Sequence, residues 1–151
     1  MTASQFPQAI NGYLNQYIQL MDAKAAAVAA AALVLIGLGL SDQAKGAEPI
    51  LRVMAISFAG VASIFALMVV LPRTPHSGNG HIFWADIRSF QSADEYWKSL
   101  KQLSEEDVGR EYARQNYFVG EILKKKGAMV RRSILWFAAS CIYFSVAVGV
   151  S

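Results

Sequence analysis

The chain has 151 residues, of which 54% are hydrophobic and only 17% charged, and a formal net charge of +3. This apolar excess excludes an ordinary soluble domain, and the length suits one small unit. The charges are unevenly placed, because Ala25–Leu40, Val53–Leu71 and Ile134–Val150 carry none.

Residues 1–24 contain Phe6-Pro7, and the proline suits a first helical turn because its missing N–H has no partner to lose there. Ile10, Tyr13, Leu14, Tyr17, Ile18 and Met21 then recur at three- and four-residue spacing. They draw an apolar stripe along an amphipathic helix that runs into the first apolar run. A spanning helix needs roughly 20 apolar residues to cross ~30 Å of hydrocarbon. The runs 25–40, 53–71 and 134–150 therefore read as three short spans, and none has the polar stripe that a soluble bundle requires. A cleaved signal peptide is a poor fit to the first run, since Lys24 is the only cation ahead of it.

The connection Ser41–Pro49 is short and holds Gly46 and Pro49, so residues 25–71 read as a helical hairpin. Small residues on the second run (Ala55, Ala59, Ser63) and the third (Cys141, Ser145, Gly149) predict close helix packing. Cys141 is the lone cysteine, which excludes an intrachain disulfide. The first run is small-residue almost throughout, and three short helices offer one another few neighbours, so a homo-oligomer is expected.

Residues 72–133 form a polar insert between the second and third spans. Pro72-Arg73 ends the second span, and Thr74 to Gly80 is a breaker-rich loop. Ile82, Phe83, Ile87 and Phe90 recur at helical spacing, and Ser92–Glu95 and Ser104–Asp107 each set a hydroxyl three residues before a carboxylate, which marks a helix start. From Glu105 onward no proline intervenes, and a continuous helix of about 46 residues would be ~69 Å long. Gly127 is the expected bend or break, since a mid-helix glycine costs about 1 kcal/mol relative to alanine. Eleven of the 14 cations lie in the insert, which places it and the N-terminus in the cytoplasm and residues 134–151 as an outgoing third span. The fold class is thus all-α membrane protein, with an N-terminal amphipathic helix and a cytoplasmic helical insert.

Catalysis finds little support. There is no phosphate-binding glycine loop and no cysteine cluster, and His76 and His81 flank a loop with nothing to complete a metal site, so neither enzyme activity nor a metal is expected. The carboxylates Glu105, Glu106 and Asp107 suit the start of a helix dipole. Lys124, Lys125 and Lys126 with Arg131 and Arg132 precede the third span at headgroup level, where membrane electrostatics account for them. The functional alternative is an anion site, with Arg73 on the same face, Asn116 and Trp84 supplying edge or stacking contacts, and a phosphate as ligand. Asp22, Lys24 and Arg73 stand where the first two spans meet the cytoplasm, so an Asp22–Arg73 ion pair is geometrically reasonable.

Asp22-Ala23-Lys24-Ala25, Pro72-Arg73, Ile82-Phe83-Trp84, Tyr96, the stretch Gly120 to Lys126 and then Arg131-Arg132 resemble, in order and spacing, the transmembrane effectors of bacterial Pycsar anti-phage systems. Lys126-Gly127 departs from the Lys-Tyr pair of that family, so no tyrosine role is carried over. The resemblance implies an effector in the bacterial inner membrane, coupled to a nucleotide cyclase and silent until cyclic UMP or cyclic CMP is made. It also implies that ligand binding rearranges or assembles the spans and impairs the membrane. No DNA or RNA partner and no cofactor is implied. The competing reading is a membrane-anchored scaffold or accessory subunit whose insert docks a protein.

Overall fold

The computed structural model describes residues 5–41, 46–72 and 80–150, with Trp84 described by its backbone alone, and these residues form helices without strands. In chain order the helices are α1 (Gln5–Leu40), α2 (Pro49–Val70), α3 (Trp84–Ile87), α4 (Ala93–Leu100) and α5 (Glu105–Gly149). Three of them, α1, α2 and α5, are long and apolar enough to cross a membrane. The protein is an all-α membrane protein.

Each boundary has a local cause. Pro7 lies in the first turn of α1, and Pro49 opens α2 behind Glu48, whose carboxylate accepts the Leu51 N–H at 2.7 Å. Ser92 caps α4, its hydroxyl accepting the Glu95 N–H at 3.1 Å. Ser104 and Asp107 cap α5 reciprocally, Asp107 N–H donating to the Ser104 hydroxyl and the Ser104 N–H to the Asp107 carboxylate. Between His81 and Phe90 only one turn, α3, is helical, because the Ser89 hydroxyl and N–H both donate to the Asp86 carbonyl and turn the chain.

The expected break at Gly127 is absent. α5 runs unbroken for 45 residues, ~67 Å at about 1.5 Å per residue. A side chain at Gly127 would meet nothing within 4 Å, so the helix gives up some propensity there without losing its hydrogen-bond ladder.

The chain divides into two compact units, to both of which α1 and α5 contribute. One comprises Met1–Ile18 and Pro72–Lys124, the other Gln19–Leu71 and Lys125–Ser151. In the second unit the core is built from small residues at seven-residue spacing. On α2 the buried positions are Ala55, Ala59, Ala62, Ala66 and Val69, and on α1 they are Ala25, Ala32, Leu35 and Gly39. Such alternation of three and four is the seam of helices packed at a shallow angle. Gly39 is required by that seam, since a Cβ there would lie 2.8 Å from Ile56 Cγ1 of α2. The large apolar side chains point the other way: Val34, Leu38, Ile64, Leu67, Leu135 and Ile142 are all exposed. Small residues inside and large apolar ones outside invert the soluble arrangement, and only a hydrocarbon solvent makes that favourable.

Of the expected packing residues, Ala55 and Ala59 are buried, and Cys141 packs against the cluster around Ala32 and Ala59. Ser63 returns its hydroxyl to the Ala59 carbonyl of its own helix at 3.0 Å. Ser145 and Gly149 are exposed, and the buried stripe of α5 passes instead through Val130, Ser133, Ser140 and Ala147. The reason is register, because Ser133, Ser140 and Ala147 lie seven residues apart with Val130 three before them, and Ser145 and Gly149 fall off that alternation of three and four.

Candidate functional site

The basic cluster ahead of the third span does not act as a block. Lys124 and Lys125 are exposed, whereas Lys126 is buried, since one helical position turns the side chain by a quarter of the circumference. Lys126 Nζ donates to Asp22 Oδ1 at 2.5 Å and to the Val69 carbonyl at 2.6 Å. Val69 lies in the last turn of α2, where carbonyls lack intrahelical partners and a cation suits the helix dipole, and α2 has no basic residue of its own there. One ammonium therefore ties α1, α2 and α5 together. Two of the three N–H donors of Lys126 are thus held by protein partners. Asp22 has Lys126 as a partner, Lys24 is exposed, and the expected Asp22–Arg73 pair falls on Arg73, which lies outside the described residues. Arg131 and Arg132 are also exposed, Arg132 standing 5.9 Å over the Phe65 ring.

Two serines complete the polar content of this core. Ser140 donates its hydroxyl to the Ala55 carbonyl across the α2–α5 seam at 2.7 Å, and the buried Ser133 hydroxyl has no hydrogen-bond partner among the described residues.

In the other unit Asn116 fastens the N-terminal arm. Its amide donates to the Pro7 carbonyl at 2.8 Å and its carbonyl accepts from the Asn11 amide at 3.0 Å. The arm's apolar stripe is accordingly split, with Ile10, Leu14 and Ile18 half-buried and Tyr13 and Tyr17 exposed, paired ring to ring at 4.8 Å. Asn116 is thus a structural clasp, and of Trp84 only the backbone position in α3 is described.

A feature with room for a ligand lies elsewhere in that unit, around His81. Its N–H donates to Glu111 Oε2 at 2.9 Å and its Nδ1 lies 2.5 Å from Glu111 Oε1. An ionised carboxylate only accepts, so Nδ1 carries the hydrogen. Nε2 lies 2.6 Å from the Ser99 hydroxyl, the Tyr96 hydroxyl donates to the His81 carbonyl at 2.7 Å, and the two rings stack with centroids 6.3 Å apart. Every polar atom of His81 is thereby held. The ring borders a cavity of about 310 Å³, with Tyr96, Glu111 and Tyr112 on its polar side and Ile87, Leu100, Leu103 and Val108 as apolar wall. An adjoining small cleft shares Ile82 and Glu111 with it and adds Arg114 and Gln115. Ring faces, a fixed carboxylate and a nearby guanidinium suit a planar, hydrogen-bonding, anionic molecule. Among the described residues no group of three or more His, Cys, Asp and Glu side chains is placed to hold a metal.

Sequence reading missed both centres. The seven-residue count holds a signal for Lys126, since steps from Val119 land on Lys126, Ser133, Ser140 and Ala147, all of them buried. No local signal links His81 to Glu111, 30 residues away.

Comparison with known proteins gives the same architecture a family. A model of the Pycsar effector protein domain matches residues 8–151. The Pycsar effector protein SaPycTM of Staphylococcus aureus is 28% identical over 151 residues, covering 96% of this chain and 95% of that protein. No solved structure matches the chain. Since the match takes in the N-terminal arm, the hairpin, the insert and the third apolar helix alike, the chain belongs to the family of Pycsar transmembrane effectors, which gives it an anti-phage effector role.

Proposed function

We propose that the protein is a cyclic-nucleotide-gated effector that impairs the bacterial inner membrane, so that infection is aborted, with the N-terminus and residues 72–133 cytoplasmic. The activating ligand in this reading is a cyclic pyrimidine mononucleotide, cyclic UMP or cyclic CMP, made by a functionally coupled nucleotide cyclase. The observation that carries it, beyond family membership, is the cavity beside His81. Its volume of about 310 Å³ falls at the lower end of small-molecule sites, its walls offer Tyr96 and Tyr112 to a base, and Glu111 is fixed to accept from a ring N–H. Arg114 in the adjoining cleft supplies a guanidinium for the phosphate. The exposed Lys125, Arg131 and Arg132, in the unit that holds the third span, remain the other candidate for an anion.

Gating follows from differential binding. A nucleotide that binds resting and open arrangements equally shifts nothing, and moving the ratio from 1:99 to 99:1 takes ~5.5 kcal/mol of differential affinity. The rearrangement in this reading is the assembly of copies into a homo-oligomer in the lipid bilayer. Neither catalysis nor nucleic-acid binding enters it.

Calorimetric titration of the detergent-solubilised protein with cyclic UMP, cyclic CMP, cyclic AMP and cyclic GMP tests the ligand class. A pyrimidine nucleotide is expected to bind more tightly than either purine, and Tyr112→Ala to weaken it about tenfold through lost stacking. Binding untouched by Tyr112→Ala but lost with Lys125→Gln and Arg132→Gln moves the site to the basic cluster. Absence of binding by all four ligands contradicts the proposal, and a stoichiometric protein partner on purification then favours the scaffold reading.

A further inference from the structure

The unit built from Gln19–Leu71 and Lys125–Ser151 has a second cavity, of about 260 Å³, between α1 and α5. Met21, Val130, Ile134 and Leu135 form its apolar wall, and Lys24 and Arg131 are its charged residues. No carboxylate lines it. Gly127 lies in the lining, where an added Cβ would meet nothing within 4 Å, so the glycine leaves the cleft open. Both cations are exposed, and Asp22, two positions from Lys24, is occupied by Lys126.

We infer that this cleft binds one anionic phospholipid, with acyl chain against Ile134 and Leu135 and the phosphate between Lys24 and Arg131. The cleft joins an apolar wall to two cations at the point where the charge-free runs Ala25–Leu40 and Ile134–Val150 begin, which is where a lipid headgroup meets its chains. A second copy of the same bundle is a poorer occupant. Its carboxylates among the described residues are Asp22 and Glu48, and these already serve Lys126 and the Leu51 N–H. A lipid phosphodiester brings the missing negative charge and the apolar tail in one molecule. The inference does not depend on the nucleotide reading.

Native mass spectrometry of the full chain in neutral detergent, titrated with phosphatidylglycerol or phosphatidylcholine of matched chain length, tests it. Two cations near a lipid surface predict roughly 30-fold preference for phosphatidylglycerol in the first binding step. Lys24→Gln with Arg131→Gln should bring the preference close to one, while Lys98→Gln with Lys101→Gln, on exposed cations of α4 and its C-cap, should leave it intact. Gly127→Leu fills the cleft and raises helix propensity, so it should abolish the preference in a protein that is still folded by circular dichroism. Preference that survives either cleft variant overturns the inference. So does a wild-type oligomer that Gly127→Leu dissociates without altering lipid selectivity, since the cleft is then an interface between copies.

Discussion

A single buried ammonium organises the spanning bundle, and its two partners differ in what they lose without it. Lys126 is 5% exposed at its side chain and Asp22 is 34% exposed. Removing the lysine leaves a carboxylate that water can reach, whereas removing the carboxylate leaves a buried cation with the Val69 carbonyl as its one partner among the described residues. Asp22→Ala is therefore expected to lower stability more than Lys126→Met. The cost is about 3 kcal/mol or more for the alanine variant, read as thermal denaturation in detergent. The reverse order would mean that the pair is not the bridge described. The two core serines give an opposite-sign test. Ser140→Ala loses the bond to Ala55 and about 1 kcal/mol, and Ser133→Ala removes a buried hydroxyl with no partner among the described residues and should gain about as much. At this scale the sequence was least legible: three consecutive lysines look alike, and only the helical register separates the inward one. His81 and Glu111 belong to different elements, so their pairing is a product of the fold.

The elements were more legible because their causes are local. Charge-free runs, prolines in first turns and the two serine caps lie within a few residues of what they determine. The single turn of α3 was not legible, since its end depends on competing bonds from Ser89 to Asp86. The cap of α5 also sets a pH dependence. The Ser104 hydroxyl, and then its N–H, hold the Asp107 carboxyl below its ordinary value. A depressed folded value means stabilisation that is present above the unfolded carboxylate range, ~3.9, and is lost as pH falls through the folded value. Ser104→Ala should flatten that part of the acid titration of helicity, and an unchanged profile would deny the cap its role. Along α5, Gly127→Ala should stabilise the helix by about 1 kcal/mol. At the α1–α2 seam, Gly39→Val should destabilise by about 1–3 kcal/mol through overpacking against Ile56, and Ile56→Ala should recover part of the loss. Independent costs for the two changes would place the residues apart.

At the scale of the whole molecule, the two units divide the labour that the proposed function requires. One presents large apolar side chains outward and keeps alanine, serine and one neutralised lysine inside, which suits residence in lipid. The other contains the cavity beside His81, walled by Tyr96, Tyr112, Glu111 and apolar side chains. The sequence distinguished these two parts by charge alone, and family membership follows from their order along the chain. It did not reveal that residues up to Ile18 fold with the insert, because the helix that carries them is continuous through Leu40. The most direct test is the potential across liposomes containing the purified protein, followed with a voltage-sensitive dye while cyclic UMP or cyclic CMP is added. The account predicts collapse of the potential with the nucleotide that binds, and with Tyr112→Ala a collapse that needs about tenfold more nucleotide. An undiminished potential, with nucleotide shown by calorimetry to be bound to the same vesicles, would contradict it.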